Sequence, residues 1–221
     1  MTSQINTLDN TKSRWSWLYK ITGAAALTAG LLLVIGLLNL AASFWQAEAA
    51  LRWLTVLGNN WLILIFKLHA EFSDVYTEML RGSNPLDMFF LITVGLISFG
   101  LSTVHQKARK VILLIAGVLS AIGLLLYFAT QMAGRSTVMV VVLIISLVMP
   151  GNGNFGKAVV YTGVAAGILL LVGDITVGMK SSVITFLFGA GYVFLVVWFF
   201  LIAKIFFSLG VGGIIVDEKH K

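Results

Sequence analysis

From Ile21 to Phe44 the chain runs for 24 residues without a charged side chain, and nothing else constrains its fold as much. A helix of that length exceeds the roughly 30 Å of a bilayer's hydrocarbon layer, which about 20 residues cross. On a soluble protein it would have no polar face to turn toward water. Just upstream, Lys12, Arg14 and Lys20 are interleaved with Trp15, Trp17 and Tyr19, the mixture that places rings at headgroup depth and cations against lipid phosphate. Ala41, Ala42 and Ser43 offer the small residues of a signal-peptide cleavage site. Signal-peptide cores run only about 7 to 15 residues, so the segment reads as a retained anchor.

The same kind of segment recurs at Leu86 to Val104, Val111 to Met132, Thr137 to Pro150, Ala158 to Gly173 and Val183 to Phe207. The fourth of the six, at 14 residues, spans only about 21 Å and needs flanking residues or a thinned bilayer. Pro150-Gly151-Asn152-Gly153-Asn154 predicts a tight turn that folds the fourth and fifth segments into an antiparallel hairpin. Overall the chain is 59% hydrophobic and 11% charged, with mean hydropathy +0.98, whereas soluble domains carry about a quarter charged residues. The expectation is an all-α polytopic transmembrane bundle of about six spanning helices. It divides into an interfacial segment 1–20, a transmembrane domain 21–208 and a tail 209–221.

Sidedness follows from charge. With the amino terminus inside, Lys12, Arg14, Lys20, Lys107, Arg109, Lys110, Lys157, Lys204, Lys219 and Lys221 face the cytoplasm, and Arg52, Lys67, Arg81, Arg135 and Lys180 face out. Placing Asp9, Asp217 and Glu218 inside and the other six acids outside gives +7 within and −1 without, which accounts for the net +6. This is the positive-inside pattern, and it predicts a plasma-membrane (bacterial inner-membrane) protein with both termini cytoplasmic. The long loop 45–84 predicts an outer amphipathic helix. Trp61, Ile65, Leu68, Phe72, Val75, Tyr76 and Met79 recur at helical spacing opposite Lys67, Glu71, Asp74, Glu78 and Arg81. A seventh crossing through Ala49 to Leu68 is the rival; it would bury Arg52, Asn59 and Asn60 and put residues 105–110 outside.

Chemistry is sparse. The chain has no cysteine, which removes disulfides, thiolate metal sites and cysteine nucleophiles. Its basic residues flank helices instead of lining one aromatic-bearing surface, which argues against nucleic acid as a partner. His69, His105 and His220 fall on different parts of the topology, so a bis-histidine haem is disfavoured and each reads as a solvated or interfacial side chain. Phosphate-binding loops, zinc helices and nucleophile elbows are missing; no enzyme activity, cofactor or metal site is expected. The candidate site is an outer polar cluster of Asp87, Arg135 and Asp174, where an arginine between two carboxylates would be a pairable charge near low dielectric. Asn84-Pro85-Leu86-Asp87 also reads as a helix start, with a cap, a proline at the first helical position and an acid in the first turn. Small residues four apart, Ala26/Gly30, Gly117/Ala121 and Gly163/Gly167, predict close helix approach.

Several strings also occur in order: Asn84-Pro85-Leu86-Asp87, Ala133-Gly134-Arg135-Ser136, Phe155-Gly156-Lys157 with Tyr161, Gly173-Asp174, Gly191-Tyr192 and Trp198-Phe199-Phe200-Leu201-Ile202-Ala203. In these the chain resembles an uncharacterised bacterial family of small six-helix integral membrane proteins, a domain family of unknown function. The resemblance implies the six-helix architecture and no known activity. Residues and resemblance together lead to the expectation of a non-enzymatic accessory or interaction subunit of a membrane complex. Its partners would be membrane lipids and a membrane protein or a second copy. A small transporter, channel or lipid-binding bundle with an outward-facing polar mouth is the alternative.

Overall fold

A computed structural model describes residues 2–44, 85–105, 107–130, 134–149, 156–175 and 182–211, and these are all-helical. Six helices result: α1 (Thr2–Phe44), α2 (Pro85–Ser102), α3 (Lys107–Thr130), α4 (Gly134–Val148), α5 (Lys157–Ile175) and α6 (Ser182–Gly210). Within four of them lie stretches long and apolar enough to cross a membrane, Trp15–Ile35, Ala108–Phe128, Lys157–Asp174 and Gly189–Gly210. The apolar parts of α2 and α4, Asp87–Ser102 and Ser136–Val148, are shorter. The predicted outer amphipathic helix, its rival crossing and the Pro150–Asn154 turn lie outside the described residues, as do His69 and His220.

Local rules explain most of the boundaries. α2 begins at Pro85 with Asp87 in its first turn, where the missing proline N–H costs nothing and the acid meets the positive end of the helix dipole. It stops at Ser102, where Ser102 Oγ donates to Phe99 O and Thr103 Oγ1 donates to Gly100 O. These side chains take over carbonyls that the next turn would have used. α1 differs from the expected segmentation, running unbroken for 43 residues from Thr2 instead of starting at Ile21. Hydropathy marks where a helix becomes apolar, but with no glycine or proline before Gly23 nothing in the sequence stops it sooner.

The helices close into a ring. Each packs on its successor, α1 closes the circle against α6, and α2 also reaches α4. Phe90 lies on Phe199 with ring centroids 5.9 Å apart, so α2 also touches α6. The core that results includes Trp198, Tyr192, Phe90, Phe199, Phe206, Leu91, Ile97 and Leu113.

Contact pairs set the directions. Along α1, Lys20 lies at Gly210, Gly23 at Phe206 and Phe207, and Gly30 at Phe199 and Phe200, so α1 and α6 are antiparallel. Trp15 meets Phe99 edge-on at 6.0 Å and Tyr19 bonds Thr103, so the early part of α1 sits at the late end of α2. With the antiparallel pairs α2/α3 (Gly95 at Ser120, Gly123 at Leu91), α4/α5 (Ser146 at Gly163, Leu143 at Gly167) and α5/α6 (Gly163 at Trp198, Gly191 at Leu170), direction alternates around the ring. The start of α1's apolar span and the end of α6 therefore share one end of the bundle.

Candidate functional site

The two ends of this ring differ in charge. At the end shared by Lys20 and Gly210 stand exposed Lys20, Lys110, Lys157 and Lys204, with Arg109 half-buried. The acids whose side chains are described, Asp87 and Asp174, are both at the opposite end. Opposite-sign ends joined by apolar helices give the bundle an axis that a membrane can orient.

The expected cluster of Asp87, Arg135 and Asp174 sits at the acidic end. Gly123 faces both Leu91 and Thr137, and this places Asp87, one turn before Leu91, level with the start of α4, where Arg135 is the second residue. Ser136 Oγ donates to Asp174 Oδ2, which ties the last turn of α5 to the first turn of α4. A carboxylate is unfavourable at a helix C-terminus and favourable at an N-terminus, so this contact moves the Asp174 charge from the wrong dipole end to the right one. Asp87 is only 9% exposed. The Arg135 side chain lies outside the described residues, so its pairing with either acid is an expectation.

At the basic end a polar junction joins α1 to α2. Tyr19 Oη and Thr103 Oγ1 are 2.8 Å apart, and Thr103 already donates to Gly100 O, so the tyrosine hydroxyl is the donor between them. Thr22 Oγ1 is buried beside Gly100 and has no hydrogen-bond partner among the described residues. His105 departs from expectation: it is 7% exposed, not solvated. Its Nδ1–H donates to Leu101 O at 2.9 Å, a carbonyl that also accepts from the backbone N–H groups of Val104 and His105. Desolvation lowers its pKa from the ordinary 6.5; the Leu101 bond opposes that shift and the Arg109 charge adds to it.

A third feature was only half legible. Gly163 and Gly167 do mark close approach, as their spacing predicts, but Gly163 does so beneath a tryptophan. Ser146 Oγ and Trp198 Nε1 face one another across the space where a Gly163 side chain would stand. Ser146 donates to Val142 O at 2.8 Å; Trp198 is fully buried and its Nε1–H has no partner among the described residues. Two buried serines bond to backbone carbonyls, Ser98 donating to Val94 O and Ser120 bridging α3 to Leu91 O of α2. Beside Ser120, an apolar cavity of about 410 Å³ opens sideways between α2 and α3, lined by Gly95, Phe99, Gly117 and Leu124 among others.

Among the described residues no three His, Asp or Glu side chains gather as a metal site. No family model, curated protein or solved structure matches this chain. The likeness to the uncharacterised six-helix family therefore rests on the short strings that carry it.

Proposed function

We infer that the chain crosses a membrane six times, with both termini on the cytoplasmic side, and acts without catalysis as an accessory or interaction subunit of a membrane complex. The observation that carries this reading is the placement of α3. Its main contacts among the described residues are with α2 and α4, and it leaves Val111, Ile115, Val118, Ile122 and Leu125 exposed, beside the sideways cavity against α2. A helix that gives so little of itself to its own bundle is free to pack laterally. The Gly95 and Gly117 gaps next to it suit the close approach of a partner's transmembrane helix, because packing, not hydrophobicity, drives association in lipid.

Six crossings are supported by the alternating helix directions. Because α1 and α2 are antiparallel, residues 45–84 start and finish on one side, which a single added crossing through Ala49–Leu68 would not allow. The orientation is supported by bases at the end where α1 and α6 meet and acids at the other. Since the chain has no cysteine, topology can be read directly. Ser3→Cys and Ser208→Cys should react with an impermeant thiol reagent only after permeabilisation, and Ser83→Cys in intact cells; the reverse pattern would overturn the orientation.

Purification in mild detergent with mass spectrometry of co-migrating species tests the function. A stoichiometric protein partner, cross-linked from a photoreactive residue at Val118 or Ile122, is the expected result. A bare monomer whose α3 cross-links only to lipid would refute it. The second reading, a small transporter, channel or lipid-binding bundle, draws on the buried Asp87 beside the Ser136–Asp174 bond at the outer end. It would be favoured by a tightly retained solute that Asp87→Asn releases.

A further inference from the structure

Along α3 the sideways cavity and a lysine share one stripe. Leu114, Gly117 and Ala121 line the cavity, and one helical turn back from Leu114 on the same face stands Lys110, which is exposed. Lys110 therefore sits at the basic-end mouth of the cavity, two turns, or about 10 Å, before Gly117. Its side chain leans toward the start of the helix, away from the apolar wall and toward headgroup level. Arg109 is turned off this stripe and lies near His105. Lys110 also belongs to the first turn of α3, which holds no acid, so the helix dipole adds to the attraction of this mouth for a carboxylate.

The cavity itself suits a rigid apolar group. A void of about 150 Å³ lined by aliphatic and aromatic side chains admits a benzene-sized ring, and this one measures about 410 Å³. Phe99, edge-on to Trp15 of α1, walls its basic-end side on α2. Ser120 in the lining already donates to Leu91 O, so what the lining offers is packing. An aromatic side chain has two torsions to fix and an acyl chain many, which favours the side chain in a preformed pocket. Charge disfavours a second copy, because a two-fold contact about the membrane normal sets one Lys110 stripe against the other at the same depth. We propose that the partner of the α3 flank is a single transmembrane helix that places an aromatic residue in this cavity and, two turns toward the basic end on the same face, a carboxylate against Lys110. The inference deepens the interaction-subunit reading above and rests on it.

The probe is a synthetic leucine–alanine transmembrane peptide with one phenylalanine at its centre and one glutamate two turns from it, dansyl-labelled to accept energy from the tryptophans of the full chain in mixed micelles. Alanine in place of its phenylalanine should weaken binding about thirtyfold, and glutamine in place of its glutamate about fivefold. Moving the glutamate two residues, onto the opposite face of the peptide, should cost as much as the glutamine change. Ala121→Phe, which fills the cavity from an exposed position, should reduce the phenylalanine peptide to the level of the alanine peptide. Lys110→Glu should reverse the charge preference, so that a peptide with lysine in place of glutamate binds best; this exchange keeps the test decisive if Ala121→Phe does not fold. Lys204→Glu, the same charge change at the same end on α6, should leave the preference as in the wild type. Equal binding of the phenylalanine and alanine peptides would overturn the proposal, as would a preference that Lys204→Glu alters as much as Lys110→Glu. Displacement of the peptide by phosphatidylglycerol would overturn it in favour of a lipid, and a dimer in native mass spectrometry that Ala121→Phe dissolves would do so in favour of a second copy. A protein cross-linked from Val118 or Ile122 that lacks the acid–aromatic pair would refute this recognition alone, whereas cross-links to lipid only would sink the interaction-subunit reading with it.

Discussion

Adding one methyl group at Gly163 should cost more than the same addition at Gly167, the other close-approach glycine of α5. A Cβ at Gly163 would stand 2.6 Å from Trp198 Cδ1 and nearer still to Trp198 Nε1 and Ser146 Oγ. None of these atoms is the free end of a flexible chain. The indole is fully buried and stacks edge-on against Phe199 at 5.2 Å, and Ser146 Oγ is held by Val142 O. Either α4 and α6 must both move away from α5, or Ser146 must leave its carbonyl and the indole must rotate into packed neighbours. Overpacking of this kind costs about 1 to 3 kcal/mol, and a lost buried hydrogen bond about 1 kcal/mol more. Alanine's better helix propensity returns about 1 kcal/mol, leaving a net loss of about 1 to 3 kcal/mol. Equilibrium unfolding in mixed micelles, followed by tryptophan fluorescence, measures it. Gly117→Ala is the matched control, because its Cβ meets nothing closer than Ser98 Cβ at 3.7 Å; it should be neutral or slightly stabilising. Gly163→Ala/Ser146→Ala should recover part of the loss by removing one of the two obstacles. Equal stabilities for the Gly163 and Gly117 variants would refute the packing of Trp198 over Gly163.

At the acidic end, Arg135→Ala should destabilise the bundle by about 1.5 to 3 kcal/mol if the arginine pairs with Asp87 or Asp174, with only partial rescue by Arg135→Lys, which lacks the bidentate fork; unchanged melting for both variants would remove the ion pair. Ser136→Ala should cost about 1 kcal/mol, discounted for the half-exposed Asp174, and a melting temperature equal to wild type would show the Ser136–Asp174 bond to be idle. At the basic end, His105 is held neutral in the folded chain, so the unfolded chain takes up its proton first as pH falls past 6.5. Its contribution to stability is complete above that pH and is lost as pH drops through the lower folded value. His105→Gln, which keeps a donor for Leu101 O, should flatten the pH–stability curve in that window, and an unaltered slope would place the titration elsewhere.

Much of this architecture could be read before any coordinates, and the reasons for the rest are specific. The start of α2 was legible because Pro85 and Asp87 obey rules confined to one helical turn. The charge division was legible because sidedness depends only on which loop a residue occupies. The burial of His105 was not: a loop histidine carries no sign that the turn after α2 will fold its ring back onto Leu101 O. Nor was the level at which α5 meets α6, because it is set by pairs such as Gly163 with Trp198, which are far apart in sequence. The small-residue spacing announced a close approach at Gly163 and Gly167 without saying which side chain would fill it.

The two short helices show how these levels connect. At 18 and 15 residues, α2 and α4 reach about 27 Å and 22 Å, less than a bilayer's hydrocarbon thickness. A short helix at the rim of a bundle would expose unbonded backbone ends to lipid. Here α2 touches four other helices and packs on α4, so its ends meet protein before they meet lipid. At the acidic end the first turns of both helices carry charge-complementing groups, Asp87 within α2 and Asp174 brought by α5 to Ser136 of α4. Those carboxylates answer the positive dipole ends of the two helices that stop short. On this view the acidic end first serves to close a bundle of unequal helices. Any ligand recognised there would have to compete with the helix ends for the same carboxylates, and this is why the proposed function looks to the flank of α3.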